Sequence, residues 1–159
     1  MNVFEVRIVA DPIDPVQLQA ALGRDPQCAG AQVCFAGFVR GEGVEAMHLE
    51  HYPGMTERSI GETVDAARSR WPLLSASVVH RVGELPPGEP IVWVGVLSRH
   101  RAAAFAACEF IMDYLKIAAP LWKRERRNGR WHWVEARQRD VQRAARWRPD
   151  AAMENAHVL

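Results

Sequence analysis

Within thirty residues the chain passes from Ile91–Leu97, a β-rich and almost wholly apolar run, to an alanine-rich stretch from His100 to about Ala118. The first reads as a buried strand. The second reads as a long helix that Pro120 stops, because proline lacks the amide hydrogen and clashes with the preceding turn. A buried strand feeding a long helix commits the domain to a mixed sheet-and-helix core. The rest of the pattern agrees. Val3–Val9 alternates as a strand, and Asp14-Pro15 opens a short helix (cap, then proline at the first helical position) that ends near Gly23. Ala31–Arg40 and Glu45–Tyr52 read as strands joined by Gly41-Glu42-Gly43, an expected hairpin. Thr56–Trp71 carries Ile60, Val64 and Ala67 at helical spacing, with Glu57, Arg58, Glu62 and Arg68 elsewhere. Leu74–Val82 is a strand, Pro86-Pro87-Gly88 a turn, and Leu121–Arg126 and Arg130–Val134 flank the type I′ hairpin signal Asn128-Gly129. Gln138–Trp147 reads as a short polar helix. The predicted order β-α-β-β-α-β-β-α-β-β gives an α+β fold with a largely antiparallel sheet. Residues 1–147 are expected to form one domain and 148–159 a frayed tail.

Composition narrows the functional classes. The 159 residues suit a single domain with a core of its own. A formal net charge of +1 argues against wholesale nucleic-acid binding. Cys28, Cys34 and Cys108 are odd in number and lack C-x-x-C spacing, which points to reduced thiols rather than a disulfide framework or zinc site. Glu5 and Arg7 interrupt the apolar N-terminus, and no apolar run reaches membrane-spanning length. A cytoplasmic protein is expected. No P-loop, G-x-G-x-x-G or G-x-S-x-G occurs.

The basic residues are unevenly chosen. Of 20, only Lys116 and Lys123 are lysine. An ammonium can be desolvated, lose its proton and act as an acid, base or nucleophile, whereas a guanidinium effectively cannot. Lys116 falls at the helix end, where the macrodipole favours it, and Asp113 three residues earlier offers a surface ion pair worth roughly 0.3 kcal/mol. After Pro120 the chain reverses. Strand alternation then puts Leu121, Lys123 and Glu125 on one face and Trp122 and Arg124 on the other. Two ammonium groups brought together lower each other's pKa. At the other end of the long helix, His100 and Arg101 oppose the dipole, an arrangement that suits an arriving anion. Arg40 and Arg137 each follow a strand end and are further phosphate candidates. His48, His51 and His80 read as cross-strand or surface residues, and Trp122, Trp131 and Trp133 as core or interface.

Seven segments together resemble one family, the large catalytic subunit of molybdopterin synthase. They are Gly37-Phe38-Val39-Arg40, Leu49-Glu50-His51-Tyr52-Pro53-Gly54-Met55, His80-Arg81-Val82-Gly83-Glu84-Leu85, Val94-Gly95-Val96 with His100-Arg101, Phe110-Ile111-Met112-Asp113-Tyr114-Leu115-Lys116, Pro120-Leu121-Trp122-Lys123-Arg124-Glu125 and Trp133-Val134-Glu135-Ala136-Arg137. The resemblance runs in order over residues 3–147. It implies an α/β hammerhead with an additional small antiparallel β-sheet, and a homodimer of large subunits within a heterotetramer. It also implies a small ubiquitin-like partner whose C-terminal Gly-Gly thiocarboxylate enters the large subunit's pocket. The implied reaction moves sulfur onto cyclic pyranopterin monophosphate to make the dithiolene of molybdopterin, with no cofactor or metal of the protein's own. By position, the resemblance makes Lys116 and Lys123 catalytic. It assigns Arg40, the backbone of Phe38 and Val39, His100 and Arg101 to substrate contacts, and Lys123, Arg124 and Glu125 to the stretch nearest the thiocarboxylate. Arg137 falls near the pocket or across the dimer. In one respect the chain departs from the family: Gly41-Glu42-Gly43 is shorter than the Asn- and Gly-containing loop found there.

Two other readings compete. A pocket that binds an anionic pterin or a partner's tail without turnover has no use for two retained lysines. RNA binding through Arg137–Arg148 is weakened by the acidic and apolar residues that interrupt that stretch.

Overall fold

Valine, isoleucine and alanine that avoid water on both sides of one sheet organise the molecule. The computed structural model describes residues 3–23, 27–135 and 137–148. In chain order the elements are β1 (Phe4–Val9), α1 (Pro15–Ala21), β2 (Ala31–Phe38), β3 (Ala46–His51), α2 (Met55–Arg70), β4 (Leu73–Arg81), β5 (Gly83–Leu85), β6 (Pro90–Ser98), α3 (Arg101–Leu115), β7 (Leu121–Arg127), β8 (Arg130–Val134) and α4 (Gln138–Ala145). They make two four-stranded sheets, β1-β4-β6-β2 and β5-β3-β7-β8. Among the described residues only β1 and β4 pair in parallel, and the other pairings are antiparallel. This is the expected α+β architecture, with a second antiparallel sheet built of shorter strands.

In the first sheet the central strands β4 and β6 are covered on both faces, which is why β6 reads as a nearly continuous apolar run and even the serines of β4 are buried. On one face Val78, Val94 and Val96 meet Ile60 and Val64 of α2 and Ala104, Ala107 and Ile111 of α3. On the other, Val79, Trp93 and Leu97 meet Leu18 of α1 and Leu22 beyond it. The alanines of α3 let that helix lie close to the sheet. The second sheet has its own core of Val39, Val44, Met47, Leu49 and Leu85.

The expected hairpin between residues 31–40 and 45–52 does not form. β2 pairs with β6, and β3 crosses into the second sheet between β5 and β7. Adjacency in sequence made the pairing look local, but β2 needs an apolar neighbour for its covered face and β6 supplies it. β5 is a further strand that the sequence pattern did not reveal. Around Asn128-Gly129 the hairpin forms as read, with both residues at positive φ, 50° and 71°. Of the tail expected to fray, residues 149–159 lie outside the described residues.

Candidate functional site

Lys116 and Lys123 meet because of a turn clamped from outside. α3 ends at Lys116, whose amide donates to the Met112 carbonyl at 3.3 Å. The turn that follows offers unpaired carbonyls, as every helix end does. Two hydroxyls of α2 satisfy them: Ser59 Oγ donates to the Ala118 carbonyl at 3.1 Å, and Thr56 Oγ1 to the Pro120 carbonyl at 2.9 Å. Thr56 is fully buried there. β7 therefore starts in a fixed place, and its register decides what faces inward. Leu49, Lys123 and Val134 lie side by side across β3, β7 and β8, with Met47, Glu125 and His132 in the next row of the same face.

That face and the C-terminal end of α3 close a cavity of about 520 Å³, a volume suited to a small-molecule ligand. Lys116, Lys123, Arg40, Arg137 and Arg139 line it, against two carboxylates, Glu135 and Asp140. Phe35, Phe38, Met112, Leu115 and His80 complete the walls. On a chain of net charge +1 this is a concentrated cationic spot.

The electrostatics follow from the walls. Burial lowers the Lys116 pKa first and the Lys123 charge lowers it further; Asp140 acts in the opposite sense, while Arg40 and Arg137 add to the lowering. Lys116 keeps exposed surface, yet it lines the cavity, and desolvation there is the largest cause of the lowering. Glu125 shows the reverse balance. Burial pushes its carboxyl up, but the hydrogen bond from Arg127 and the Lys123 charge outweigh that and hold it below the usual range. Its oxygens lie 3.3 Å from Lys123 Nζ and 2.8 Å from Arg127 Nη2.

His80 departs from its expected surface or cross-strand role. It is buried in the cavity wall, and burial lowers its pKa to about 4. Its Nδ1 lies 2.7 Å from the Arg81 carbonyl, which can only accept, so Nδ1 carries the proton and Nε2 is left as an acceptor. His48 and His51 keep cross-strand and surface roles, with Nε2 3.5 Å from Glu50 and 3.9 Å from Glu57.

Of the residues singled out from sequence, Phe38, Arg40, Lys116, Lys123 and Arg137 line this cavity. Others do not. Val39 is 2% exposed, and its backbone is taken by the 86–89 turn: its amide donates to the Glu89 carbonyl at 3.0 Å and its carbonyl accepts from Gly88 at 2.9 Å. Its amide is thereby committed, and only the second lone pair of its carbonyl stays open to a ligand. Arg124 lies on the outer face of its sheet, over Trp131 and Trp133 at 5.1 and 5.6 Å and 3.7 Å from Glu50. These tryptophans, with Trp122, are exposed rather than core. His100 and Arg101 stand at the N-terminus of α3, 15 residues and roughly 20 Å from Lys116. The protomer does not bring them to its own lysines.

Asp113 does not pair with Lys116 either. It is buried and turned toward α4 and the turn after it, where Arg146 Nη2, Trp147 Nε1 and Arg143 Nε lie at 3.0, 2.7 and 3.4 Å. Trp147 in turn packs edge-on against Trp71 and Phe110. This latch seats α4, whose approach carries Arg137, Arg139 and Asp140 to the cavity. Arg139 and Asp140 escaped the sequence reading because polar residues on a polar helix carry no periodic signal. Among the described residues, no group of three His, Cys, Asp or Glu side chains could hold a metal ion, and no helix is long and apolar enough to cross a membrane.

Comparison with known proteins puts this architecture in a family. The family model described as MoaE protein matches residues 8–118. The molybdopterin synthase catalytic subunit of Escherichia coli K12 is 57% identical over 122 residues, 74% of this chain and 81% of that protein. A solved structure of the molybdopterin biosynthesis MoaE protein from Burkholderia ambifaria is 44% identical and superposes with a TM-score of 0.77, over 92% of this chain and 98% of that one. A structure of the complex of subunits 1 and 2 of the molybdopterin-converting factor from Helicobacter pylori shares the fold at a TM-score of 0.71 and 18% identity, over 83% of this chain and 91% of that one. The chain belongs to the MoaE protein family, that of the molybdopterin synthase catalytic subunits.

Proposed function

We propose that this chain is the sulfur-transferring subunit that converts cyclic pyranopterin monophosphate to molybdopterin, with the C-terminal thiocarboxylate of a small ubiquitin-like subunit as sulfur donor. The observation that carries the reading is the arrival of the chain's only two lysines, from a helix end and a separate strand, in one cavity with Arg40 and Arg137. Donor and substrate are both anions, so a cationic pocket on a nearly neutral chain fits them. Sulfur attack at a pterin side-chain carbon requires protons for the leaving oxygens. Lys116, with its proton affinity lowered by burial, is suited to deliver them. Lys123, held by Glu125, is suited to steady the negative charge of the acyl intermediate.

Arg40 and Arg137 are assigned to the substrate's phosphate, with Phe38 as an apolar wall. Lys123 and Glu125 are assigned to the incoming tail, and Arg124 to the outer rim of the same edge. His100 and Arg101 take part in substrate binding only if a second protomer presents the start of its α3 to this cavity. That requirement is consistent with a homodimer of large subunits within a heterotetramer. We infer that residues 1–147 act as one molybdopterin synthase large-subunit-like domain in the cytoplasm, where the free thiols Cys28, Cys34 and Cys108 are at home.

The test is direct. Purified protein incubated with a thiocarboxylated small subunit and cyclic pyranopterin monophosphate should yield the dithiolene product. Binding of both components without product would reduce the chain to a binding module.

A further inference from the structure

A second cavity, of about 540 Å³, adjoins the first. Phe35, Met112, Lys116 and Asp140 line both. The shared wall thus holds one cation and one carboxylate between two apolar side chains. The other carboxylates of the second cavity are already engaged. Glu109 and Asp113 are held by Arg143 and Arg146 at 2.6 to 3.4 Å. Asp140 forms no ion pair within 4 Å among the described residues, Lys116 included, yet its place is fixed, because α4 is seated by the Asp113 latch at Arg146 and Trp147.

We propose that Asp140 is a positioning residue for Lys116, its carboxylate acting across the shared wall, beyond ion-pair distance, as the counter-charge that draws the ammonium toward that wall. The proposal rests on the reading of Lys116 as proton donor only for its effect on turnover. Every element around Lys116 contributes charge: Lys123 from β7, Arg40 beyond β2, His80 from β4, Glu135 beyond β8, Arg137, Arg139 and Arg143 from α4 and its approach, and Glu109 and Asp113 from α3 itself. His80 stays neutral because burial lowers its pKa to about 4. The two acids of α3 are matched by Arg143 and Arg146, and Glu135 sits at the exposed rim. Asp140 is thus the uncommitted carboxylate in the wall, and it raises the Lys116 pKa against the lowering by burial and by the neighbouring cations. The competing account is that Asp140 merely stabilises the first turn of α4.

The chain's own composition supplies the probe. With only two lysines, isotope-labelled lysine gives two side-chain NMR signals, and both can be titrated in the full-length protein. In Asp140→Asn the Lys116 signal should titrate at lower pH, with proton affinity reduced roughly three- to ten-fold. The Lys123 signal should move less, and Asp140→Glu should restore the wild-type midpoint. An unchanged Lys116 midpoint overturns the proposal, as does an equal shift of both lysines. The alkaline limb of turnover, measured with small subunit and substrate, separates the two readings. If the Lys116 midpoint moves and that limb does not follow, Asp140 retains its role and Lys116 loses that of proton donor.

Discussion

Replacing Lys116 by arginine preserves charge and reach but removes the ability to give up a proton near neutral pH. We expect Lys116→Arg and Lys116→Ala both to lose at least about 100-fold in turnover, the usual contribution of a positioned acid or base. Neither should unfold the protein, since a lysine at a helix end contributes under about 1 kcal/mol. Wild-type-like turnover by the arginine variant, in a single-turnover assay of dithiolene formation, would leave Lys116 a purely electrostatic role. His80 supports a prediction of another kind. Its folded pKa, about 4, lies below the ordinary 6.5, so between those values the unfolded chain binds more protons than the folded one. The contribution is fully present above pH 6.5 and is lost as pH falls toward 4, by about 3 kcal/mol in all. Urea melts at pH 7 and 4.5 should show a smaller loss in His80→Gln than in wild type. Equal losses would mean that His80 is already protonated in the fold.

At the scale of elements, Gly95 shows how a strand reading can be right while its reason stays hidden. It lies in the middle of β6, where glycine is usually costly. The structure supplies the reason: Trp93, two residues earlier on the same face, folds its ring over Gly95, and a Cβ there would overlap the ring atoms. Gly95→Ala should therefore destabilise by about 1 to 3 kcal/mol, as overpacking does, and a thermal melt within 1 °C of wild type would contradict it. Helices and strands were legible from the sequence because burial marks the side chains, as a helical period in α2 and as an unbroken apolar run in β6. Pairing was less so. That β2 joins β6, and β3 the second sheet, depends on which apolar faces need cover, and no local spacing records that. The site divides in the same way. Lys116 and Lys123 stood out by residue type, and Arg40 and Arg137 by their place at strand ends. The commitment of the Val39 amide came from hydrogen bonds to a turn fifty residues away. The Asp113 latch was hidden for a similar reason, since the partners lie more than thirty residues on.

For the whole molecule, the place of Arg101 sets a requirement on assembly. Within one protomer α3 separates it from Lys116 by roughly 20 Å, its full length. A phosphate ligand at that distance cannot share a substrate with the lysines. A symmetric dimer can resolve this if each protomer lends the start of α3 to the other's cavity. The arrangement has a signature that no single variant provides. Assayed with substrate below the wild-type KM, Arg101→Ala and Lys116→Ala should each be nearly inactive alone. In a mixed dimer one cavity would carry both lesions and the other neither. Equal amounts allowed to exchange protomers should then recover about one quarter of the wild-type sites, because half the dimers are mixed and each has one intact cavity. If Arg101 instead served its own protomer, no cavity in any mixture would be whole and activity would stay at the level of the single variants. Substrate titration of the Arg101→Ala homodimer completes the test. Loss of a charged phosphate contact, worth about 2 kcal/mol, should weaken substrate roughly thirty-fold while affinity for the small subunit holds. An equal loss of both affinities would point to a disturbed dimer rather than a missing phosphate ligand.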